Sequence, residues 1–417
     1  MKNSIYRYSC GNLIVAIVPF VLIPFMTKAF EPEEYGYITM FQLLLGLFSI
    51  FVGFSMNGPL LRYNYNEKIT ESRLSNYFFC SWLLFLLSTI LILLILLVFG
   101  GYISHAFSVS ERLIYTAFFT SIVYYPIKIR LGQWQANENS KLYLLAQITQ
   151  SVLLVLGFFA LYYFVFDDAR SRIYSHILAL ACLSYMSVCL LIRDGYMKRG
   201  RFSLENSKDL LSQSFGVMPH LIGVYLISFA DRFIVNKYIG GDYVGILMIA
   251  IQVSLVLNIV LDGLNKAVNP KLFRALRDDN YELKIKFCKW TYLFSISIIL
   301  LSYPLSYLAA LAVKTFTEPS YHEAAELVKI TILSQLINGI YIAFVNYILY
   351  SKKLWVLSVI SIFSGGVGIT LSIYFVDEYG IQAIVYSSLF AAIMRTILVM
   401  IVATKLVRMP WRMAIKV

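Results

Sequence analysis

The chain has 417 residues, 59% of them hydrophobic and 14% charged, with a mean hydropathy of +0.72. A soluble globular chain carries about 25% charged residues, so an ordinary soluble enzyme is excluded. A bilayer crossing takes about 20 mostly apolar residues, and a dozen crossings leave only short loops and tails. The net charge of +12 would suggest nucleic acid in a soluble protein, but here its placement in loops has to be read first.

Apolar stretches separated by polar breaks predict twelve helices. Six lie near 10–30, 36–58, 77–99, 110–129, 142–164 and 173–192, and six near 211–233, 243–264, 288–312, 324–350, 353–375 and 381–404. The first follows Lys2 and Arg7 but is too long for a signal-peptide core and lacks a small-x-small cleavage site, so it reads as a retained helix. Barrel strands would alternate over about ten residues, whereas these runs are long and continuous. The cysteines Cys10, Cys80, Cys182, Cys189 and Cys288 show no CxxC or metal-ligand spacing and receive no function.

With the N-terminus inside, 26 of the 35 Lys and Arg residues fall in inner segments. The other nine are Lys28, Arg112, Arg170, Arg172, Arg232, Lys237, Lys314, Lys329 and Arg395. This asymmetry predicts a multi-pass membrane protein with both termini cytoplasmic. The positive charge is mostly a topology signal, and nucleic acid is not a partner.

The chain repeats itself at an offset near half its length. Glu34-Tyr35-Gly36-Tyr37-Ile38 echoes Asp242-Tyr243-Val244-Gly245-Ile246 at 208, and Asn57-Gly58-Pro59-Leu60-Leu61-Arg62 echoes Asn269-Pro270-Lys271-Leu272-Phe273-Arg274 at 212. Lys141-Leu142-Tyr143 and Tyr163-Phe164-Val165 find counterparts at 212 and 211. The predicted fold is therefore all-α and integral to the membrane, with about twelve transmembrane helices in two six-helix lobes related by a pseudo-two-fold along the membrane normal. The lobes are 1–200 and 201–417, joined by the basic stretch Arg193 to Asp209.

Polar or small residues recur on one helical face at Gln42, Gly46, Ser49, Gly53 and Asn57, and again at Ala250, Ser254, Asn258, Asp262 and Asn265. Shifted by 212, Gln42 lands on Ser254, Gly46 on Asn258 and Gly53 on Asn265. The two readings are helix packing, where small residues let helices approach, and a hydrated cavity between the halves. Arg395 lies ten residues before Lys405, about 15 Å of helix, near the midplane, where a charge is a functional candidate by default. His220 and Asp231 share a face of the seventh helix, and Asp231-Arg232 reads as a structural pair near its outer end. Lys28, Arg62, Lys266 and Arg274 flank helices that would border an opening, Arg62 and Arg274 at its cytoplasmic mouth; each is either an interfacial anchor or a contact for an anionic head group. Pro19, Pro24 and Pro219 permit bending of the helices that begin the two repeats.

No GxxxxGK[ST] or GxGxxG is present, and Ser364-Gly365-Gly366-Val367-Gly368 lies inside a helix without the lysine a nucleotide site would use. No HExxH appears, and His105, His176, His220 and His322 are scattered. The pattern predicts no catalysis and no cofactor or metal; binding and movement remain.

At this point the pattern resembles the polysaccharide flippases of the multidrug/oligosaccharidyl-lipid/polysaccharide exporter superfamily, and within it bacterial O-antigen flippases. Lys28-Ala29-Phe30 followed by Pro32-Glu33-Glu34-Tyr35-Gly36 looks like that family's opening turn, and Asp231-Arg232-Phe233-Ile234-Val235, then Gly240, Tyr243 and Gly245, like its signature in the second half. The resemblance implies two lobes that open alternately to cytoplasm and periplasm. The substrate it implies is an undecaprenyl-diphosphate-linked oligosaccharide repeat unit moved between leaflets. It further implies membrane lipids, a polysaccharide polymerase and a chain-length regulator as partners. The cavity would be lined by Gln42, Asn57, His220, Ser254, Asn258, Asp262, Lys266 and Arg395. Coupling to H+ or Na+ would fall to Asp262, Asp231 or His220. The alternatives are a drug/cation antiporter of the same superfamily, which needs buried carboxylates, and an unrelated polytopic glycosyltransferase or polymerase, which short outer loops disfavour.

Overall fold

The computed structural model describes residues 18–64, 71–196, 200–351, 353–411 and 413, and among them the chain is helical with no strand. The first predicted helix begins outside the described residues, which start at 18. Its remainder is helical over 18–21, turns at Leu22 and resumes as α1 (Ile23–Ala29). Pro24 brings no N–H to the ladder at this turn. There follow α2 (Pro32–Phe51), a 3₁₀ segment (Val52–Ser55), α3 (Asn57–Asn64), α4 (Glu71–Phe107), α5 (Glu111–Ala136), α6 (Ser140–Phe164) and α7 (Ala169–Arg193). The second half holds α8 (Leu204–Tyr238), α9 (Gly241–Arg277), α10 (Tyr281–Phe316), α11 (Ala324–Tyr350), α12 (Leu354–Tyr379) and α13 (Ile381–Leu406).

Short polar side chains start several helices. Ser110, Asn139 and Asn280 accept the backbone N–H three residues on, and Asp168 accepts that of Arg170, relieving donors that have no partner within the helix. Gly380, at φ +56°, turns the chain between α12 and α13 in a conformation that side-chain-bearing residues rarely adopt.

Ten of the described helices are long and apolar enough to cross a membrane. The fourth predicted span, α5, has 26 residues and falls short in apolarity. Its polar side chains find partners inside the fold: Arg130 is buried, donates from Nη2 to Asp194 at 2.6 Å and from Nη1 to Gln133, and lies over the Trp134 ring, with Nε alone of its donors buried and unpaired.

The chain divides into two compact units. One holds Glu33–Phe229 with the described residues before Ile23; the other holds Ile23–Pro32 and the described residues of Ala230–Val417. The division therefore falls inside α8 and beside the turn at Leu22, whereas the repeat in the sequence divides the chain at the basic stretch after α7. The helices that open the two repeats are the ones whose contacts are shared out. Within the second unit the Tyr321 hydroxyl, fully buried, donates to the Phe30 carbonyl at 2.8 Å and anchors the end of α1. Within the first, Glu34 accepts the Ala169 N–H at 3.1 Å.

The repeat is visible inside each unit. In the first, α5 packs against α3, α4, α6 and α7; in the second, α11 packs against α9, α10, α12 and α13. These two hubs are the fourth helices of their halves. At one end of the second unit Leu272, Leu276, Tyr347, Ile348 and Val399 form an apolar core closed by Trp411, which stacks on Phe344 at 5.5 Å. Apolar residues left uncovered, such as Leu87, Ile90, Leu94 and Leu97 along α4, suit a lipid surround.

Asp194, which follows α7, is held by Arg130 and Arg193. Burial pushes its carboxyl up, but the two guanidinium hydrogen bonds outweigh this and keep it below the usual carboxylate range. A carboxyl lowered by folding contributes stability that is complete above its unfolded value, about 3.9, and lost as pH falls through its folded value. In thermal melts of the purified protein, Asp194→Asn is expected to lower Tm at neutral pH and to shrink the fall in Tm on acidification. An unchanged acid slope would show that this pair contributes nothing.

Candidate functional site

The polar face of the second predicted helix does not survive as one helix. Gly53, Phe54 and Ser55 have φ values of +72°, +47° and +54°, so the helix breaks there and Asn57 begins α3 on a new axis. This corrects the placement of Asn57 on a face shared with Gln42. Left-handed residues that carry a side chain cost about 1 to 2 kcal/mol each, so the break has to be held. In a continuous helix the Gly53 N–H would donate to the Ser49 carbonyl. Instead it donates to the Ser88 hydroxyl of α4 at 2.8 Å, and the Lys128 ammonium of α5 donates to the Ser49 carbonyl at 2.6 Å. The Ser55 hydroxyl donates to Ile50 O at 2.8 Å. A Cβ on Gly53 would lie 2.1 Å from the Tyr125 ring, and Tyr125 is itself stacked on Phe85 with centroids 4.3 Å apart.

Gly46 is also a close approach. A Cβ there would meet the Tyr225 hydroxyl at 2.3 Å, and that hydroxyl donates to Leu43 O at 2.6 Å. Gly46 and Gly53 thus serve helix packing. Gln42 and Asn57 are half-buried. The Ser49 hydroxyl is buried and without a hydrogen-bond partner.

In the second unit the corresponding face stays on one helix, α9. Ser254 is fully buried, its hydroxyl sharing Thr331 of α11 at 2.5 Å and donating to Ala250 O at 2.7 Å, which makes it a packing contact. Asn258 and Asp262 are half-buried. Asn265 accepts from the Asn346 amide of α11 at 2.7 Å, and the Oδ1 of Asn346 is buried and unpaired. Arg274 is exposed in the last turn of α9. The side chains of Arg62, His220 and Lys266 lie outside the described residues.

Arg395 sits at the middle of α13, more than about 15 Å of helix from either end at 1.5 Å per residue. Its Nη2 donates to Asn338 Oδ1 at 3.0 Å and its guanidinium lies over the Tyr341 ring at 4.6 Å, both on α11, while Nε is buried and unpaired. Asp231 and Arg232 pair with each other at 2.7 Å on α8, as a structural role requires. Pro19 and Pro24 are half-buried and Pro219 is exposed inside an unbroken α8. The glycine-rich stretch of α12 is a packing surface, since a Cβ on Gly368 would lie 2.9 Å from Ala391 of α13.

Three groups escaped the sequence reading. The charge count places Lys128 among the cytoplasmic loop cations, yet it lies within α5 and reaches the broken helix; its signal was an apolar run continuing past it as Ile129 and Leu131. Arg172, on α7, is buried with Nε unpaired. His176, one turn on, has Nδ1 buried and unpaired and its ring edge-on to Phe41 at 6.3 Å. Among the described residues Lys128, Arg172 and Arg395 have no carboxylate within ion-pair distance, and no group of His, Cys, Asp and Glu could hold a metal ion.

A family model described as Polysaccharide biosynthesis protein matches residues 1–276. Two relatives from Haemophilus influenzae align over most of their length. An uncharacterized membrane protein is 24% identical over 86% of each chain, and Lsg locus putative protein 1 is 26% identical over 87% of this chain and 88% of that one. Among solved structures the chain is similar to the lipid II flippase MurJ in an inward closed conformation, with a TM-score of 0.69 at 15% identity, covering 98% of this chain and 87% of that one. It is also similar to an inward-facing multidrug resistance MATE family transporter of the MOP superfamily, with a TM-score of 0.65 at 14% identity, covering 98% and 96%. The chain belongs to the polysaccharide biosynthesis protein family and has the two-lobe helical fold of MOP-superfamily membrane transporters.

Gly46→Ala is expected to destabilise the first unit by about 1 to 3 kcal/mol, because the added methyl must displace the Tyr225 hydroxyl and with it the bond to Leu43 O. Combining it with Tyr225→Phe, which removes the nearest atom, should recover part of that loss in chemical denaturation. If the double variant were no more stable than Gly46→Ala alone, the Tyr225 contact would not be the cause.

Proposed function

We propose that this protein flips an undecaprenyl-diphosphate-linked O-antigen repeat unit from the cytoplasmic to the periplasmic leaflet of the bacterial inner membrane, by alternating access and without covalent chemistry. The observation that carries this reading is the sign of the charge inside the helical units. Among the described residues Lys128, Arg172 and Arg395 have no carboxylate partner, whereas Asp231 is spent on Arg232. A charge at membrane depth costs about 2.5 to 3.5 kcal/mol on insertion scales, and an anionic ligand recovers that cost when it supplies the missing counter-charge. A diphosphate is such a ligand.

The physics of transport follows. A glycan and its diphosphate cannot cross hydrocarbon unaided, because every polar group would lose its water. The polyprenyl tail has no such difficulty and stays in lipid. Cations such as Arg395 offset the diphosphate, and half-buried polar side chains such as Asn258 replace water around the sugar. The guanidinium of Arg395 is oriented by Asn338 and Tyr341, so it meets the ligand with little loss of rotamer freedom.

A drug/cation antiporter would present buried carboxylates, and the excess here is of the opposite sign. A polymerase or glycosyltransferase needs an outer domain to hold its acceptor. The predicted outer connections are short, the longest among the described residues being 317–323 between α10 and α11.

The test is the leaflet of the lipid-linked repeat unit in cells that make it but lack this gene. The unit is expected to accumulate facing the cytoplasm and to be relieved by the wild-type gene. Arg395→Met, inserted at normal level, should reduce surface polysaccharide about tenfold or more, the loss of one hydrogen-bonded charge contact of about 1.5 to 3 kcal/mol. Unpolymerised units already facing the periplasm would overturn the proposal in favour of a later step, and unchanged polymer would favour drug export.

A further inference from the structure

The two halves of the repeat differ at one place. Asn265, 212 residues beyond Gly53, lies within the unbroken helix α9, whereas α2 and α3 are separated at Gly53. The backbone of this repeat therefore accommodates a straight helix at that position, and the first half holds a kinked one.

What holds the kink is a contest for one carbonyl. The Ser49 oxygen accepts from Lys128 at 2.6 Å, where in a straight helix it would accept from the Gly53 N–H, and that N–H is held 2.8 Å away by Ser88. Lys128 carries three N–H donors. One is on Ser49, the ammonium lies 5.7 Å from the centre of the Tyr124 ring, and no carboxylate among the described residues pairs with it. The neutral carbonyl is a weak counterpart for an ammonium beside which an anion would be stronger. Beside it the buried Ser49 hydroxyl has no partner.

We propose that the Lys128 ammonium is an oxyanion site, for a phosphate or diphosphate group, and that filling it straightens the α2–α3 segment. An oxyanion that takes the ammonium releases the Ser49 carbonyl. In hydrocarbon a released carbonyl has to be satisfied inside the protein, and the Gly53 N–H is the donor that chain geometry places four residues on. Its return to Ser49 closes the helical turn and takes Gly53, Phe54 and Ser55 out of the left-handed region. Binding and conformational change are thereby coupled through one hydrogen-bond exchange: the ligand binds the straight state better, and that difference in affinity shifts the population. That the oxyanion belongs to a lipid-linked diphosphate rests on the function proposed above; the switch itself does not.

The full-length chain in lipid nanodiscs, with its cysteines replaced, can carry spin labels at Glu33→Cys and Gly58→Cys, both exposed and on opposite sides of the break. A straight helix would separate these Cα atoms by about 37 Å, at 1.5 Å per residue, and the kinked form by less. Pulsed electron paramagnetic resonance is expected to show the shorter distance without ligand. A shift to the longer one is expected on adding inorganic diphosphate or a polyprenyl diphosphate. Lys128→Met should give the longer distance without ligand and no further response, while Lys128→Arg should keep the response. Gly53→Ala, whose methyl would collide with Tyr125 in the kinked form, should also lengthen the distance without ligand, which gives a second variant should Lys128→Met fail to fold. A response to the lipid alone supports the switch and assigns its ligand to the membrane; a response to free diphosphate as well makes the oxyanion sufficient. One distance common to every variant and ligand overturns the proposal. Straightening without leaflet transfer in cells would leave the switch standing and remove the proposed substrate; normal transfer by Lys128→Met with no change in distance would do the reverse.

Discussion

Inside a bilayer a backbone N–H or C=O has no water to turn to, and each one left unpaired costs several kcal/mol. The rest of this structure depends on that constraint. It makes the described residues helical, makes the ends of helices short and capped, and turns any break in a helix into a demand on neighbouring side chains. At Gly53 the demand is met by a serine on α4 and a lysine on α5. A lysine that would otherwise have to reach water is thereby retained inside the fold, which ties the local geometry of α2 to a charged group of α5.

The same constraint explains why the fourth helix of each half is the hub. A helix surrounded by other helices can carry polar side chains, since each finds a partner in protein. α5 carries Lys128, Arg130 and Gln133 on these terms, and its repeat mate α11 carries Asn338 and Asn346, which engage Arg395 and Asn265. The polar content of α5 that disqualifies it as an isolated membrane span is the consequence of its central position. Arg130 and Arg395 show the two uses of a buried guanidinium. The first is matched by Asp194 and ties α5 to the end of α7. The second is oriented by an amide and an aromatic ring and keeps its charge uncompensated.

Contacts divide the chain where the repeats begin. α1 belongs with the second unit and the first part of α8 with the first, so the helices that start the two repeats are the ones at which the unit boundaries fall. Phe30, held by Tyr321, and Glu34, holding the Ala169 N–H, mark the passage from one unit to the other within five residues.

The sequence by itself determined the solvent, the helical class, the order of the long helices and the repeat. Hydropathy is summed over some twenty residues and survives local irregularity, so α6 through α13 lie where the apolar runs place them. The span count, the repeat and the sequence motifs of the two halves carried the family resemblance. What only the tertiary structure decided is which polar residues face what. Helical periodicity puts Gln42 through Asn57 on one face only while the helix is continuous, and nothing in Gly53-Phe54-Ser55 distinguishes a break from α9's unbroken turn at Asn265. That choice is made by Ser88 and Lys128, 35 and 79 residues along the chain from the amide and the carbonyl they satisfy, once packing brings them there. Ser254, read as a cavity residue, proves to be bonded to Thr331 for the same reason: a one-dimensional pattern gives the direction of a side chain, and only the neighbour across the helix interface decides whether that direction ends in a partner or in a site.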